Sequence, residues 1–323
     1  MKLGIIGTSW ISAKLAAAAP MTGVFEVVSI YSRTAKKGVA FAHQHATQAQ
    51  VYTDLTAFFT SGIDVVYIAS PNSYHFEQTM AALTADVSVI VEKPAFLRPV
   101  EYEQVAQLLQ TKPQLLFFEA AKHTYLATFK NIKRRLADLG EIQGGQLTYM
   151  TQTPYQPEAT VWSLDYGRGV LYDLGVYLIY DVLEWFGMPQ NIRYQSQQYP
   201  AQADFYGVGA LVYDEFTIDL HISMRHQSQI VSEIYGSKGT LMMNHPTHFD
   251  EVTLSRECHS LESLVRPQPD NTMIDELEAF GRALQTRDRL FMQQRFEVAQ
   301  QVGQTLYMMR QQAGLIFPGD ETN

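Results

Sequence analysis

The sequence predicts an α/β fold, an N-terminal doubly wound parallel sheet followed by a C-terminal α+β domain with a largely antiparallel open sheet. Three observations predict it. Residues 3–6, 25–31, 65–69, 87–91 and 115–118 form short runs that are largely apolar, not alternating, as suits parallel strands covered by helices on both faces. Between them, residues 12–19, 35–45, 73–83 and 100–109 are helix-compatible, with Pro20, Pro71, Pro94, Pro99 and Pro113 as punctuation. After about residue 123 the pattern changes, and Phe216-Thr217-Ile218-Asp219-Leu220-His221-Ile222-Ser223-Met224-Arg225 alternates apolar and polar residues without a break, as a half-buried antiparallel strand does.

Weaker strand signals lie at 145–151, 192–198, 206–212, 230–235 and 252–254, with Gly236-Ser237-Lys238-Gly239 as a turn. Helices are expected over 127–139, 170–185, 273–284 and 291–312. The expected division is a nucleotide-binding domain over 1–121 and a substrate-binding and dimerisation domain over 122–323.

The chain has 323 residues, of which 46% are apolar and 18% charged, ordinary for a globular protein with a sizeable core. The net charge of -9, without a block of lysine or arginine, speaks against nucleic acid or an anionic membrane as partner. No apolar run approaches the roughly 20 residues that span a bilayer. The amino terminus runs straight into a strand-and-turn pattern without a separate secretion signal, and the single cysteine, Cys258, cannot form an intrachain disulfide. A cytoplasmic, reduced setting is expected.

The chemistry-bearing residues cluster where strands end. Val91-Glu92-Lys93-Pro94 sets a lysine at the carboxyl end of an apolar strand, beside the crevice where open α/β sheets hold ligands. Gly4-Ile5-Ile6-Gly7-Thr8-Ser9-Trp10-Ile11-Ser12 joins the first strand to the first helix, the position that takes a pyrophosphate on backbone N–H groups and a helix dipole. Only the first glycine of G-x-G-x-x-G survives, as Gly7; Ser9 and Ser12 stand for the others. Ser32 and Arg33 follow the second run, where an acid would accept from a ribose 2′-OH. A hydroxyl and a guanidinium there suit a 2′-phosphate, which favours NADP and leaves NAD possible; Arg33 also reads as a solvated side chain. Ser70, Asn72 and His75 share the same crevice edge and are candidate contacts for the nicotinamide ribose, or a turn, a cap and a helical histidine.

Taken together, the Gly-Ile-Ile-Gly start, Ser32-Arg33, Ala69-Ser70-Pro71-Asn72 with His75, Glu92-Lys93-Pro94, Phe118-Glu119-Ala120, Asp173-Leu174-Gly175-Val176-Tyr177, Gly236-Ser237-Lys238-Gly239-Thr240 and the terminal Ala313-Gly314-Leu315-Ile316-Phe317-Pro318 occur in one order. In that order the chain resembles the Gfo/Idh/MocA oxidoreductase family. The resemblance implies a Rossmann domain, then a domain whose open sheet commonly forms a homodimer or a dimer of dimers. It also implies hydride transfer between a nicotinamide and a carbinol or carbonyl carbon of a sugar, polyol or cyclic diol. The family's proton-handling lysine and motif residue map onto Lys93 and Tyr177, and Glu92 joins the cofactor set of Gly7, Thr8, Ser9, Trp10, Ile11, Ser32, Arg33, Ser70, Asn72, His75 and Lys93. A carbinol that loses hydride must also lose its hydroxyl proton to a positioned base. A tyrosine suits that task when an ammonium beside it favours the phenolate. Asp173, four residues before Tyr177, is expected on the same helix face, to orient Lys93 or a substrate hydroxyl.

Tyrosine at this position leans toward the branch resembling dimeric dihydrodiol dehydrogenase and glucose-fructose oxidoreductase. Departures from the family pattern lie at Lys122-His123-Thr124, which lacks the usual proline, and at Gly167-Arg168-Gly169. His123 and Trp162 are expected as substrate contacts, or as structural side chains. His245-Pro246-Thr247-His248 and His43-Gln44-His45 lack ligand companions at metal spacing, so no metal is expected and these histidines read as solvated. Met242, Met243, Met308 and Met309 read as packing, and Cys258 as inert. A non-enzymatic sensor of the same fold is the alternative, disfavoured by the intact Lys93, Asp173 and Tyr177.

Overall fold

The computed structural model describes residues 1–156, 158–200, 202–256 and 261–320; Cys258 lies outside them. In chain order the elements are β1 (Lys2–Ile6), α1 (Trp10–Ala18), β2 (Glu26–Tyr31), α2 (Ala35–His45), β3 (Gln50–Tyr52), α3 (Leu55–Phe59), β4 (Val65–Ile68), α4 (His75–Thr84), β5 (Ser88–Glu92), α5 (Pro99–Thr111) and β6 (Phe117–Ala120). There follow α6 (Ala127–Arg135), β7 (Ile142–Met150), α7 (Val176–Phe186), β8 (Asn191–Gln198), β9 (Asp204–Val212), β10 (Thr217–Ser223), β11 (Ser232–Gly236), β12 (Gly239–Met243), β13 (Val252–Arg256), β14 (Leu261–Ser263), α8 (Ile274–Thr286) and α9 (Arg289–Gln312).

Two compact units result, Met1–Lys122 with Pro269–Gln300, and His123–Gln268 with Gln301–Asn323. A division into two continuous stretches, 1–121 and 122–323, leaves out the return of 269–300 to the first unit. Aromatic packing is the reason: Phe280 of α8 stacks on Phe118 of β6 at 4.6 Å, and Phe296 of α9 meets Phe117 edge-on at 5.4 Å. Gly281 lets α8 close in, since a Cβ there would stand 2.9 Å from Val24.

The first unit carries a six-stranded sheet in the order β3-β2-β1-β4-β5-β6, parallel at every pairing. Because β1 is followed in sequence by β2 on one side and adjoined by β4 on the other, a crevice opens between the ends of β1 and β4. The core strands are buried on both faces, β4 along its whole length, which is why their sequences are apolar without alternation. The edge strand β3 is short, and Gln50 is exposed, so it gave no such signal.

The second unit carries an eight-stranded sheet in the order β14-β13-β12-β11-β7-β10-β9-β8. Its pairs are antiparallel except β7 with β10, which run parallel with Leu147 opposite Leu220. In β10 the apolar Ile218, Leu220 and Ile222 are buried while Asp219 is exposed, as the alternation requires. Leu171–Gly175, expected as α-helix, forms a π-helical turn before α7. Gly169 stands at φ +128° where the chain enters that turn, and a Cβ on it would lie 2.1 Å from Asp204 Oδ1. The carboxyl-terminal segment folds back onto the same unit. The buried Arg310 donates to Asp320 Oδ1 at 2.7 Å and to the Tyr172 hydroxyl at 3.0 Å. No helix among the described residues is long and apolar enough to cross a membrane.

Candidate active site

In the first unit, a strand-to-helix turn builds a cradle. Gly7 lies at φ +107°, and a Cβ on it would stand 2.6 Å from Ala69 O, so only glycine fits without strain. The first turn of α1 has no acidic residue, and its cap residue Ser9 makes no side-chain hydrogen bond to the helix backbone. Those backbone N–H groups are therefore available to an anion. A cleft of about 580 Å³ runs from Gly7, Thr8 and Ser9 past Ser32, Arg33 and Thr34 to Ser70, Pro71, Tyr74 and Gln78. Ser32 is buried, Arg33 is exposed with its guanidinium 6.0 Å from the Tyr74 ring centre, and Lys37 joins the same rim. A backbone anion cradle at one end and two cations with no acid in the segment after β2 fit a dinucleotide phosphorylated on the ribose, the carboxylate that lines the cleft, Glu77, belonging to α4. Trp10 is largely exposed and faces Lys122 at 5.8 Å, while Ile11 is half-buried.

Farther along the crevice, β5 ends at Glu92 and Lys93 follows it, both half-buried. Tyr67 donates to Glu92 Oε1, and Glu92 Oε2 accepts from the Lys93 backbone at 3.2 Å. His75 is fully buried, with Nδ1 3.1 Å from Pro94 O and Nε2 2.8 Å from Ser70 O. It therefore spans the Ser70 and Pro94 turns, and Asn72 beside it is buried as well. Ser70 donates to Gln78 at 2.7 Å. Below them, burial pushes the Glu276 carboxyl well above its usual range, reinforced by Glu92 and opposed by Lys122. A polar residue missed by the sequence reading, Glu276 sits on the buried stripe of α8 with Met273, Leu277 and Phe280. That i, i+3, i+4, i+7 spacing was the available signal. Lys37 was also missed; a cation in the first turn of α2, four residues after Arg33, opposes the helix dipole and so hints at an anionic ligand.

In the second unit, Gly167 and Gly169 bring Arg168 round to donate to Asp173 Oδ2 at 3.0 Å. Asp173 belongs to the π-helical turn and Tyr177 to α7, so their separation is set by a wider turn than the expected α-helical i, i+4 spacing. The Tyr177 ring meets His123 at 5.0 Å and Tyr149 at 5.9 Å. His123 is fully buried, with Nε2 3.3 Å from Asp181 Oδ1. Burial, reinforced by Glu184, pushes the Asp181 carboxyl well above its usual range. Trp162 is fully buried between Tyr155 and Tyr199. Neither His123 nor Trp162 offers surface to a substrate in this conformation.

Tyr149 points from β7 to the same side as the buried Leu147, a placement that the period of the strand made available to sequence reasoning. Burial raises its hydroxyl pKa, opposed by a hydrogen bond with Thr247 and reinforced by the charge of Asp173. His245 meets Tyr149 at 5.3 Å, so this histidine, expected as a solvated loop residue, is half-buried against that ring. Among the described residues no group of three or more His, Cys, Asp or Glu side chains is gathered to hold a metal ion.

Residues 1–120 match the family model of the Gfo/Idh/MocA oxidoreductases with an NAD-binding Rossmann fold, and residues 129–242 match the Gfo/Idh/MocA C-terminal domain. The chain is 28% identical over 327 residues to the uncharacterized oxidoreductase YgjR of Escherichia coli (strain K12), covering 99% of this chain and 98% of that one. It is also 28% identical over 335 residues to scyllo-inositol 2-dehydrogenase (NADP(+)) IolU of Bacillus subtilis (strain 168), covering 99% of each. KijD10, a 3-ketoreductase from Actinomadura kijaniata crystallised with NADP and TDP-benzene, superposes with a TM-score of 0.87 at 22% identity, covering 97% of this chain and 98% of that one. At that identity the likeness speaks for the fold.

Proposed function

The chain belongs to the Gfo/Idh/MocA oxidoreductase family, and from that premise we propose that it transfers a hydride between NADP(H) and a carbinol or carbonyl carbon of a sugar, polyol or cyclic diol. The observation that carries the cofactor is the cleft whose Gly7 turn leads to Ser32, Arg33 and Lys37 with no acid after β2. Gly7, Thr8, Ser9, Trp10 and Ile11 hold the pyrophosphate end, Ser32 and Arg33 the 2′-phosphate, and Ser70, Glu92 and Lys93 the nicotinamide end, while the buried His75 braces the Ser70 and Pro94 turns beside Asn72 and touches no cofactor. When bound, the nicotinamide supplies the hydride acceptor or donor.

The chain's own residues handle the proton. Tyr177 takes the hydroxyl proton of the alcohol during oxidation and returns it during reduction, and Lys93 holds the substrate oxygen. Asp173, tethered by Arg168, orients a substrate hydroxyl. The NADP-linked inositol dehydrogenase among the relatives supports both the cofactor and the polyhydroxy substrate. The partly exposed face of β10, with Thr217, Asp219 and His221, supports a homodimer or dimer of dimers, and one cysteine in the chain supports a reduced cytoplasmic setting.

The test is a turnover screen of the purified protein with NADP⁺ and NADPH against inositols, aldohexoses, cyclic diols and their ketones. Oxidation or reduction of one class, with NADPH favoured over NADH, is expected. Binding of cofactor without turnover of any class would make the protein a sensor, and binding of neither cofactor would overturn the reading.

A further inference from the structure

Three rings stand in a row in the second unit: His245 meets Tyr149 at 5.3 Å, and Tyr149 meets Tyr177 at 5.9 Å. His245 belongs to a tight turn after β12 whose hub is the buried Thr247. The Thr247 hydroxyl lies 3.1 Å from His245 Nδ1 and 3.0 Å from His248 Nδ1, and the two Nδ1 atoms are 3.3 Å apart.

This geometry fixes the tautomers. The backbone N–H of Thr247 points at His245 Nδ1 from 3.4 Å, and an N–H can only donate, so His245 Nδ1 is a bare acceptor and its ring proton sits on Nε2. Two facing nitrogens at 3.3 Å repel if both are bare or both protonated, so His248 Nδ1 carries a proton. A ring held through Nδ1 presents Nε2 on its opposite edge. His245 thus offers an N–H donor from a neutral ring, and burial together with His248 keeps it neutral against the pull of Asp250. The Tyr149 hydroxyl, also raised by burial, stays a neutral phenol. Arg168, the nearby cation on the segment before α7, is tied to Asp173.

A neutral His245 N–H beside the Tyr149 O–H suits hydroxyls. A phosphate or carboxylate calls instead for a cation or a fork of donors. We propose that the His245-Thr247-His248 turn reads the non-reacting hydroxyls of the substrate, with His245 Nε2 donating to one of them, which makes His245 a specificity-determining residue. The inference rests on the oxidoreductase reading above, which puts the reacting carbon at Tyr177.

Three forms of the full-length, NADP(H)-loaded protein test it: wild type, His245→Phe, which keeps a ring against Tyr149 and deletes both nitrogens, and His245→Gln, whose amide N–H stands near the place of Nε2. Each is assayed on the polyols and sugars that wild type turns over and on their monodeoxy analogues. Loss of one hydrogen bond predicts a KM raised about tenfold in His245→Phe, with kcat and NADPH affinity within about threefold and the glutamine variant restoring most of the loss. On the deoxy analogue lacking the hydroxyl in question, His245→Phe costs nothing further. An unchanged KM on every compound turned over, or a fall in kcat and thermal stability that glutamine does not rescue, overturns the proposal while leaving the oxidoreductase reading intact. No turnover of any compound by wild type sinks that reading and this inference with it.

Discussion

Replacing Arg33 with alanine separates the two nicotinamide cofactors. The guanidinium sits at the rim of the cleft, exposed, with Ser32 buried beneath it and Lys37 on the following helical turn. A hydrogen bond to a charged group is worth about 1.5–3 kcal/mol, and each 1.4 kcal/mol is about tenfold in affinity. Exposure screens the contact, so the lower half of that range applies, and Arg33→Ala weakens NADPH binding about 10- to 40-fold. Lys37→Ala removes a point charge without a fork and costs about three- to fivefold. NADH, which has no 2′-phosphate, binds both variants within twofold of wild type. Isothermal titration calorimetry with both cofactors at low and high salt reads these values, and the NADPH advantage shrinks as salt rises. Equal loss for NADH and NADPH, or no loss for NADPH, would refute the assignment of this rim to a 2′-phosphate.

Gly7→Ala forces a Cβ to within 2.6 Å of Ala69 O at a φ of +107°; the strained conformation alone costs about 1–2 kcal/mol, and the turn must shift, so NADPH affinity falls at least tenfold in the same titration. Asp204 has its carboxyl pushed up to about 7 by burial, although Tyr194 and the Leu171 backbone donate to it. Between about pH 4 and 7 the folded chain therefore holds a proton that the unfolded chain has lost, so this residue makes stability fall as pH rises, by up to about 1.4 kcal/mol per pH unit. Urea unfolding across that range shows a shallower decline for Asp204→Asn than for wild type, and parallel declines would show that Asp204 does not titrate there.

Much of the first unit was legible because its strands are buried on both faces. Apolar runs such as 65–69 and 89–91 have few other readings, and Lys93 just after one of them marks the crevice. Short or polar strands escaped: β3 is only Gln50–Tyr52, and β12, whose Met243 is buried and Met242 half-buried, reads as packing without its neighbours. The return of α8 to the first unit depends on Phe280 stacking on Phe118, a contact between residues 162 positions apart (280 − 118) that no local pattern announces. The π-helical turn before Tyr177 was likewise hidden, because Gly169 and its close approach to Asp204 come from the tertiary fold. His245 and Tyr149 escaped for a related reason, since a histidine after a strand reads as solvated until the ring beside it is known.

The most direct test of the account is the single-turnover rate of hydride transfer in the NADPH-loaded protein, measured for wild type, Lys93→Ala and Tyr177→Phe on one reducible substrate. Positioned acid–base groups contribute about 10²- to 10⁴-fold, so each variant should lose at least about a hundredfold in rate while Tyr177→Phe keeps its NADPH affinity within about threefold. Hydride transfer at the wild-type rate in either variant would contradict the assignment of the proton chemistry to Lys93 and Tyr177.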